Sequence, residues 1–239
     1  MVRLTIAAIM AALAVAAIMA AHAIAATTPH APDATSRPDD STPLPGLTKA
    51  LPPPRTAGST SLEETLAQRR SVRAFSSEPL SDGDIGQLLW AAQGITAEGG
   101  RRTAPSAGAL YPLELYAVTP DGLWRYLPAE HALALLSDAD LRIALQEAAL
   151  GQEAVGAAPL VVVITGVVER TEAKYGPERA PRYVHLEAGH AAQGLLLQAV
   201  ALDLGAVPVG AFADSEVAQI LGLPADEAPL YLLPVGRAG

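Results

Sequence analysis

Arg69-Arg70-Ser71-Val72-Arg73 places three guanidinium groups and a hydroxyl within five positions, immediately ahead of Ala74-Phe75. A planar guanidinium grips phosphate or carboxylate oxygens with paired hydrogen bonds, and a serine hydroxyl can fill a third side. The cluster reads as an anion site, with phosphate its commonest ligand. The competing reading is a solvated charge cluster, because a helix C-terminus also attracts cations. One arginine would serve that purpose, and the chain as a whole carries a formal net charge of −9 over 239 residues.

Three further stretches have residue types suited to a ligand. "TAPSAGALYP", residues 103 to 112, is rich in small residues, which let backbone N–H groups approach a flat or anionic ligand closely; an ordinary turn before a strand is the alternative. In "GAVPVGAF", residues 205 to 212, Pro208 and Gly210 can press main chain against a ring, or the segment is simply a buried strand. Arg237 stands alone after the last apolar run. Other chemistries fit less well. His185, Glu187 and His190 lack the i, i+4 histidine spacing of zinc enzymes, and there is no cysteine, so no metal site is predicted and the histidines are expected to be buried and hydrogen-bonded. Neither Ser71 nor Ser106 lies in a G-x-S-x-G elbow, which argues against a hydrolase. "GGRRT", residues 99 to 103, reads as a solvated turn, with a substrate mouth as the alternative.

The elements that must position these residues follow from period and capping. Ser61-Leu62-Glu63-Glu64 is a capping box, so a helix runs from there to about Arg69. A second helix opens at Ser81, buries Ile85, Leu88, Leu89 and Ala92, and ends near Gly94. "YPLELYAV" alternates as a strand, "TPDG" turns, and "LWRYL" returns. Ser137 is expected to cap a helical stretch running through Leu145 toward Val155. "PLVVVITG" is a strand buried on both faces. Residues 182 to 204 form a long helix too polar for a lipid-facing span and too apolar to stand uncovered. Two short strands, in "AVPVGAF" and "PLYLLPVG", flank a helix starting near Ser215. Helices, a hairpin and separated strands without βαβ alternation predict an α+β fold, a mixed sheet flanked by helices.

The N-terminal portion is of a different kind. Residues 1–26 have one early cation, Arg3, a long apolar run and small residues at the end, the pattern of a signal peptide or, uncleaved, a membrane anchor. Residues 27–58 are dense in proline and read as a disordered linker. Residues 59–239 are left as one folded domain. The protein is therefore expected to be exported, periplasmic or tethered on the outer side of the inner membrane, touching membrane only through the N-terminal segment. Its acidity excludes nucleic acid as an expected partner.

Taken together, the motifs resemble the nitroreductase superfamily, and within it the SagB-type dehydrogenases, which include azoline oxidases of peptide-modifying clusters. "RRSVRAF" looks like the family's flavin-phosphate motif, "PSAGALYPLELY" like the branch's loop and strand, and "AVPVGAF" like its flavin-face segment. "AKYGPERAPRYVHLEAGHAAQGLLLQA" is similar to the branch's helix with its preceding Lys-Tyr pair. The resemblance covers residues 60 to 237. It implies FMN as cofactor, held by Arg69, Arg70, Ser71 and Arg73 at the phosphate, ribityl chain and pyrimidine edge. It further implies that Pro105, Ser106 and Ala107 lie along the flavin from a second subunit, that Pro208, Val209 and Gly210 cover one ring face, and that Arg237 reaches the phosphate. A homodimer with a long interface helix, a nitroreductase-like mostly antiparallel sheet and ping-pong two-electron transfer are the corresponding expectations. Lys174 and Tyr175 are implied as the base that removes a substrate proton, with a charged surface loop as the alternative; a lysine acts so when an apolar pocket or another cation lowers its basicity. Substrates would be small molecules or peptides, with NAD(P)H a possible donor. The rival readings are an inactive flavin-binding or interaction protein of the same fold, and an azoline dehydrogenase.

Overall fold

In the computed structural model, the described residues are 47–239. The segment expected to be a signal peptide or anchor, residues 1–26, lies outside them, as do residues 27–46 of the expected linker. The elements in chain order are β1 (Thr48–Ala50), α1 (Leu62–Gln68), α2 (Asp82–Gln93), β2 (Ile95–Ala97), β3 (Arg101–Arg102), β4 (Leu113–Thr119), β5 (Gly122–Leu127) and β6 (Ala132–Ser137). They continue as α3 (Arg142–Ala148), α4 (Glu153–Ala157), β7 (Leu160–Val167), α5 (Glu169–Tyr175), α6 (Ala180–Ala201), β8 (Gly205–Ala206), α7 (Asp214–Leu221) and β9 (Glu227–Gly236).

Seven strands form one sheet in the order β1-β6-β5-β4-β7-β9-β8, and neighbouring strands pair antiparallel. A separate two-stranded ribbon pairs β2 with β3. Strand β7 lies near the middle and is buried at every position. The cause is visible in its neighbours. On one face Leu113, Leu115, Val162 and Ile164 pack with Leu88 and Leu89 of α2 and Val184, Ala191 and Leu195 of α6. On the other, Tyr116, Val118, Val161 and Val163 pack with Leu145 of α3, Val155 of α4 and Val217 of α7. With helices on both faces, an alternating polar position would be buried without a partner, so β-branched residues fill the strand.

The capping box is formed: the Ser61 hydroxyl accepts from the Glu64 N–H at 3.1 Å, and the Glu64 carboxylate accepts from the Ser61 N–H at 2.8 Å. The second helix also begins at Ser81 and stops at Gly94 as its pattern predicts. Two expectations need correcting. Ser137 does not cap a helix; it ends β6, which lies between β1 and β5, and α3 begins only at Arg142. "HALALLS" carries helix-prone Ala and Leu, and sheet pairing overrides that preference. Part of the stretch expected as linker is built into the sheet: β1 pairs with β6, Leu51 is buried, and the Gln87 amide accepts from the Arg55 N–H at 2.8 Å and donates to its carbonyl at 3.1 Å. Proline content masked these contacts, which are tertiary.

Long helix α6 turns Val184, Ala188, Ala191, Leu195 and Ala199 inward, while His185, Leu186, His190 and Gln193 are exposed. The histidines expected to be buried are therefore at the surface. Among the described residues no helix is long and apolar enough to cross a membrane.

Candidate functional site

The arginine-rich segment runs beside the far edge of the sheet. The Val72 N–H donates to the Ala206 carbonyl at 3.0 Å, and Ser71 bridges Ala206 in parallel. Phe75 bridges Ala238, and the Ser76 N–H donates to the Arg237 carbonyl at 3.0 Å. The first motif and the chain end are thus laced together by main chain. Gly205 is required at the crossing, since a Cβ there would lie 2.6 Å from the Val72 side chain.

A cavity of about 310 Å³ opens here, lined by Arg69, Arg70, Val72, Leu196, Gly205 and Ala206 among others. That is near the lower end of small-molecule pockets, about 300–1,000 Å³. The three arginines differ in what they already hold. Arg70 donates to the Gln68 carbonyl at 2.9 Å and the Ala67 carbonyl at 3.5 Å, so it satisfies the end of α1. Among the described residues, Arg69 and Arg73 form no ion pair. Arg237 faces Glu78 at 3.3 Å across an exposed contact, which solvent weakens. Hence Arg69, Ser71 and Arg73 keep free donors, and these fit a phosphate; Arg70 partly serves the helix.

Pro208, Val209 and Gly210 follow β8. Val209 exchanges hydrogen bonds with Leu232, at 2.8 and 3.0 Å, while Pro208 breaks the ladder for want of an N–H. Val209 is buried and Gly210 exposed. The apolar side chain is therefore committed to the core, leaving backbone and Pro208 toward the outside.

A second cluster gathers around the small-residue loop. Gly108, Ala109 and Tyr111 have φ of +65°, +55° and +46°. Left-handed backbone costs an L-residue about 1–2 kcal/mol, so this loop persists only because its surroundings hold it. The Ser106 hydroxyl accepts from the Tyr111 N–H at 2.9 Å and is hydrogen-bonded to Glu187, a buried residue of α6. The Gln93 amide donates to Glu187 at 3.5 Å and accepts from Arg102 at 2.9 Å. Burial pushes the Glu187 carboxyl up, against the pull of Ser106, Gln93 and Arg102. Burial likewise lowers the affinity of the Arg102 guanidinium for its proton, opposed by Glu114 and Glu187. The Arg102 guanidinium lies 4.6 Å from the Tyr111 ring centre.

Lys174 and Tyr175 end α5 and meet this loop. A Cβ on Gly108 would lie 2.9 Å from the Lys174 Nζ and 3.0 Å from the Tyr175 hydroxyl. Tyr175 is fixed edgewise against Tyr183, ring centres 4.8 Å apart. The segment read alternatively as a charged surface loop is helical through Tyr175, and Lys174 is exposed on it, as that alternative expects. Two groups therefore emerge within one chain: Arg69, Ser71, Arg73, Arg237 and the 205–210 segment, and Pro105, Ser106, Ala107, Lys174 and Tyr175.

Residues 66–237 match the nitroreductase family. The chain belongs to the nitroreductase family. A protein of Methanocaldococcus jannaschii assigned to the nitroreductases is 44% identical over 182 residues, spanning 74% of this chain and 90% of that protein. A crystal structure described as a nitroreductase from Ralstonia eutropha superposes with a TM-score of 0.74 at 34% identity, covering 83% of this chain and 98% of that one. The Escherichia coli microcin synthetase McbBCD, solved with truncated pro-MccB17 bound, contains a chain matching at TM-score 0.65 and 24% identity, over 82% of this chain and 77% of that one. At that identity the last comparison speaks to the fold alone.

Family membership makes this chain an oxidoreductase in general class, and it fits the observed fold: α+β with an antiparallel sheet flanked by helices. Within this nitroreductase fold, several residues escape a motif-based reading. Gln93 and Arg170 carry no local signal, because each matters through partners tens of positions away, Glu187 for the first and Tyr111 and Glu114 for the second. Glu187 stands in the sequence within the branch-like helix and is rejected as a metal ligand; its burial beside Ser106 is not legible there. Arg102, expected in a solvated turn, is half-buried.

Proposed function

We propose that the protein is an FMN-dependent oxidoreductase working in ping-pong order, two electrons at a time, with its site shared between two subunits of a homodimer. The observation that carries this reading is the main-chain lacing of Ser71 and Val72 to Ala206, which sets Arg69, with unspent donors, on the wall of a cavity, and Ser71 and Arg73 next to it in sequence. FMN would supply a two-electron acceptor and donor whose potential responds to nearby charge. Arg69, Ser71, Arg73 and Arg237 would hold its phosphate and polar edge, and an arginine near the ring would favour the anionic reduced form without losing its own proton. Pro208 and the backbone of Val209 and Gly210 would bound one ring face.

The loop at 105–107 would close the site from the partner subunit, because in one chain it gathers with Lys174 rather than with the arginines. Lys174, beside Gly108 and Tyr175, would accept a proton from the substrate as electrons leave it. NAD(P)H is one donor such a site would accept. Residues 1–26 would export the domain or tether it outside the inner membrane.

The contact of Gly108 with Lys174 and Tyr175 favours a second, narrower reading, a SagB-type dehydrogenase acting on azolines of a peptide. A fold that binds flavin without turnover is the remaining alternative. Protein refolded with FMN should turn yellow, bleach with dithionite and reoxidise with a quinone. Colourless protein overturns the flavin reading, and colour without turnover leaves the inactive one. An azoline peptide that loses two hydrogens on incubation, with Lys174→Ala abolishing the loss while keeping flavin, supports the narrower reading; an unimpaired Lys174→Ala overturns the base.

A further inference from the structure

Tyr111 is constrained at each polar atom of its backbone and at its ring. Its φ is +46°, its N–H donates to the Ser106 hydroxyl, and the Arg102 guanidinium stacks on its ring. Its carbonyl accepts from Arg170 Nη1 at 3.2 Å. The other terminal nitrogen of Arg170 reaches the Glu114 carboxylate of β4 at 2.5 Å. Arg170 and Lys174 are four residues apart on α5, one turn of helix, so both leave the same side toward the loop. One half-buried guanidinium therefore joins three pieces: the sheet through Glu114, the end of the loop through Tyr111, and the helix that presents Lys174.

A seven-residue helix has little stability of its own. Thr171 is the only buried residue of α5, and the helix ends at Gly176 with φ of +76°. Apolar packing alone holds it weakly, so its placement falls to polar tethers. Arg170 is suited to this because its rigid fork addresses a carbonyl and a carboxylate at once, which an ammonium does less well.

We propose that Arg170 is a positioning residue: its bonds to the Tyr111 carbonyl and to Glu114 hold the 106–111 loop against α5 and so set where Lys174 sits. The part concerning Lys174 rests on the reading of that lysine as proton acceptor.

Hydrogen exchange on the protein without added flavin tests the tether, and kinetics on the flavin-loaded enzyme tests its consequence. In Arg170→Gln, peptides covering 106–111 and 169–175 should exchange about tenfold faster or more, with β7 unchanged and Arg170→Lys between the two. Unaltered exchange in the loop overturns the proposal. In the loaded enzyme Arg170→Gln should lower kcat with KM little changed, and Arg170→Gln combined with Lys174→Ala should be no slower than Lys174→Ala alone. Additive losses overturn it as well. If Lys174→Ala is fully active, the base reading fails while loop exchange still decides the tether. Should Arg170→Gln not fold, Arg170→Lys and Glu114→Gln carry the same comparisons.

Discussion

A Cβ on Gly108 would stand 2.9 Å from the Lys174 Nζ, so the glycine of the small-residue loop and the lysine of α5 touch across 66 positions of sequence. Gly108 is left-handed as well, at φ +65°. Gly108→Ala is therefore strained twice. The steric conflict is with the tips of flexible side chains, which can move, so stability should fall by only about 1–2 kcal/mol. Lys174 and Tyr175 would be displaced, and misplacement by about an ångström costs up to about 100-fold in rate. Thermal melting and steady-state kinetics on the flavin-loaded protein should show a small loss in the first and a large one in the second.

The arginines of the first motif should not be equivalent. Arg69→Ala and Arg73→Ala each remove an uncommitted guanidinium and should weaken FMN binding by about 10- to 100-fold, the worth of a hydrogen bond to a charged group. Arg70→Ala should mainly loosen the end of α1, since Arg70 already donates to the Gln68 and Ala67 carbonyls. Flavin titration by fluorescence quenching ranks the three. Equal losses at all three positions would contradict the geometry.

Gly205→Ala alters no charge. Its Cβ would fall 2.6 Å from the Cβ and Cγ1 of Val72, pushing the arginine segment off the sheet edge. Overpacking of this kind costs about 1–3 kcal/mol, and FMN affinity should fall with it. Combining it with Val72→Ala should recover much of the affinity. A double variant as weak as the single one would show that the lacing does not position the arginines.

Glu227 is buried at the start of β9, where the Tyr116 hydroxyl donates to it at 2.8 Å and the Thr165 hydroxyl also donates. Burial raises its carboxyl above the ordinary range, more than these hydroxyls lower it. The folded state therefore holds the proton to higher pH than the unfolded chain does. Its favourable contribution is complete below the unfolded value, about 4.3, and is lost as pH rises through the folded value. Glu227→Gln mimics the protonated form, so the variant should gain on the parent as the pH is raised from about 4 to about 8. Urea midpoints at both ends measure it, and a difference independent of pH would rule it out.

How far these features were legible depends on the range of the interaction. The capping box at Ser61, the glycine stop at Gly94 and the doubly buried β7 each rest on neighbours within a few residues or on an unbroken apolar run. They could be read directly. Strand β6 could not, because alternating Ala and Leu suit either element until β1 and β5 flank them. The family motifs were legible as residue types, yet their partners were not: nothing near Ser106 points to Glu187, and nothing near Arg170 points to Tyr111.

The amino-acid order alone determined local backbone preferences, the two-faced burial of the central strand and the concentration of cations in an acidic chain, because these depend on propensity, period and composition. Only the tertiary structure decided that the Arg170 guanidinium joins the Tyr111 carbonyl to Glu114, and that a strained loop meets Lys174 at Gly108. Those outcomes depend on which distant groups compete for the same hydrogen bond or the same space, and that competition exists only once the chain has folded.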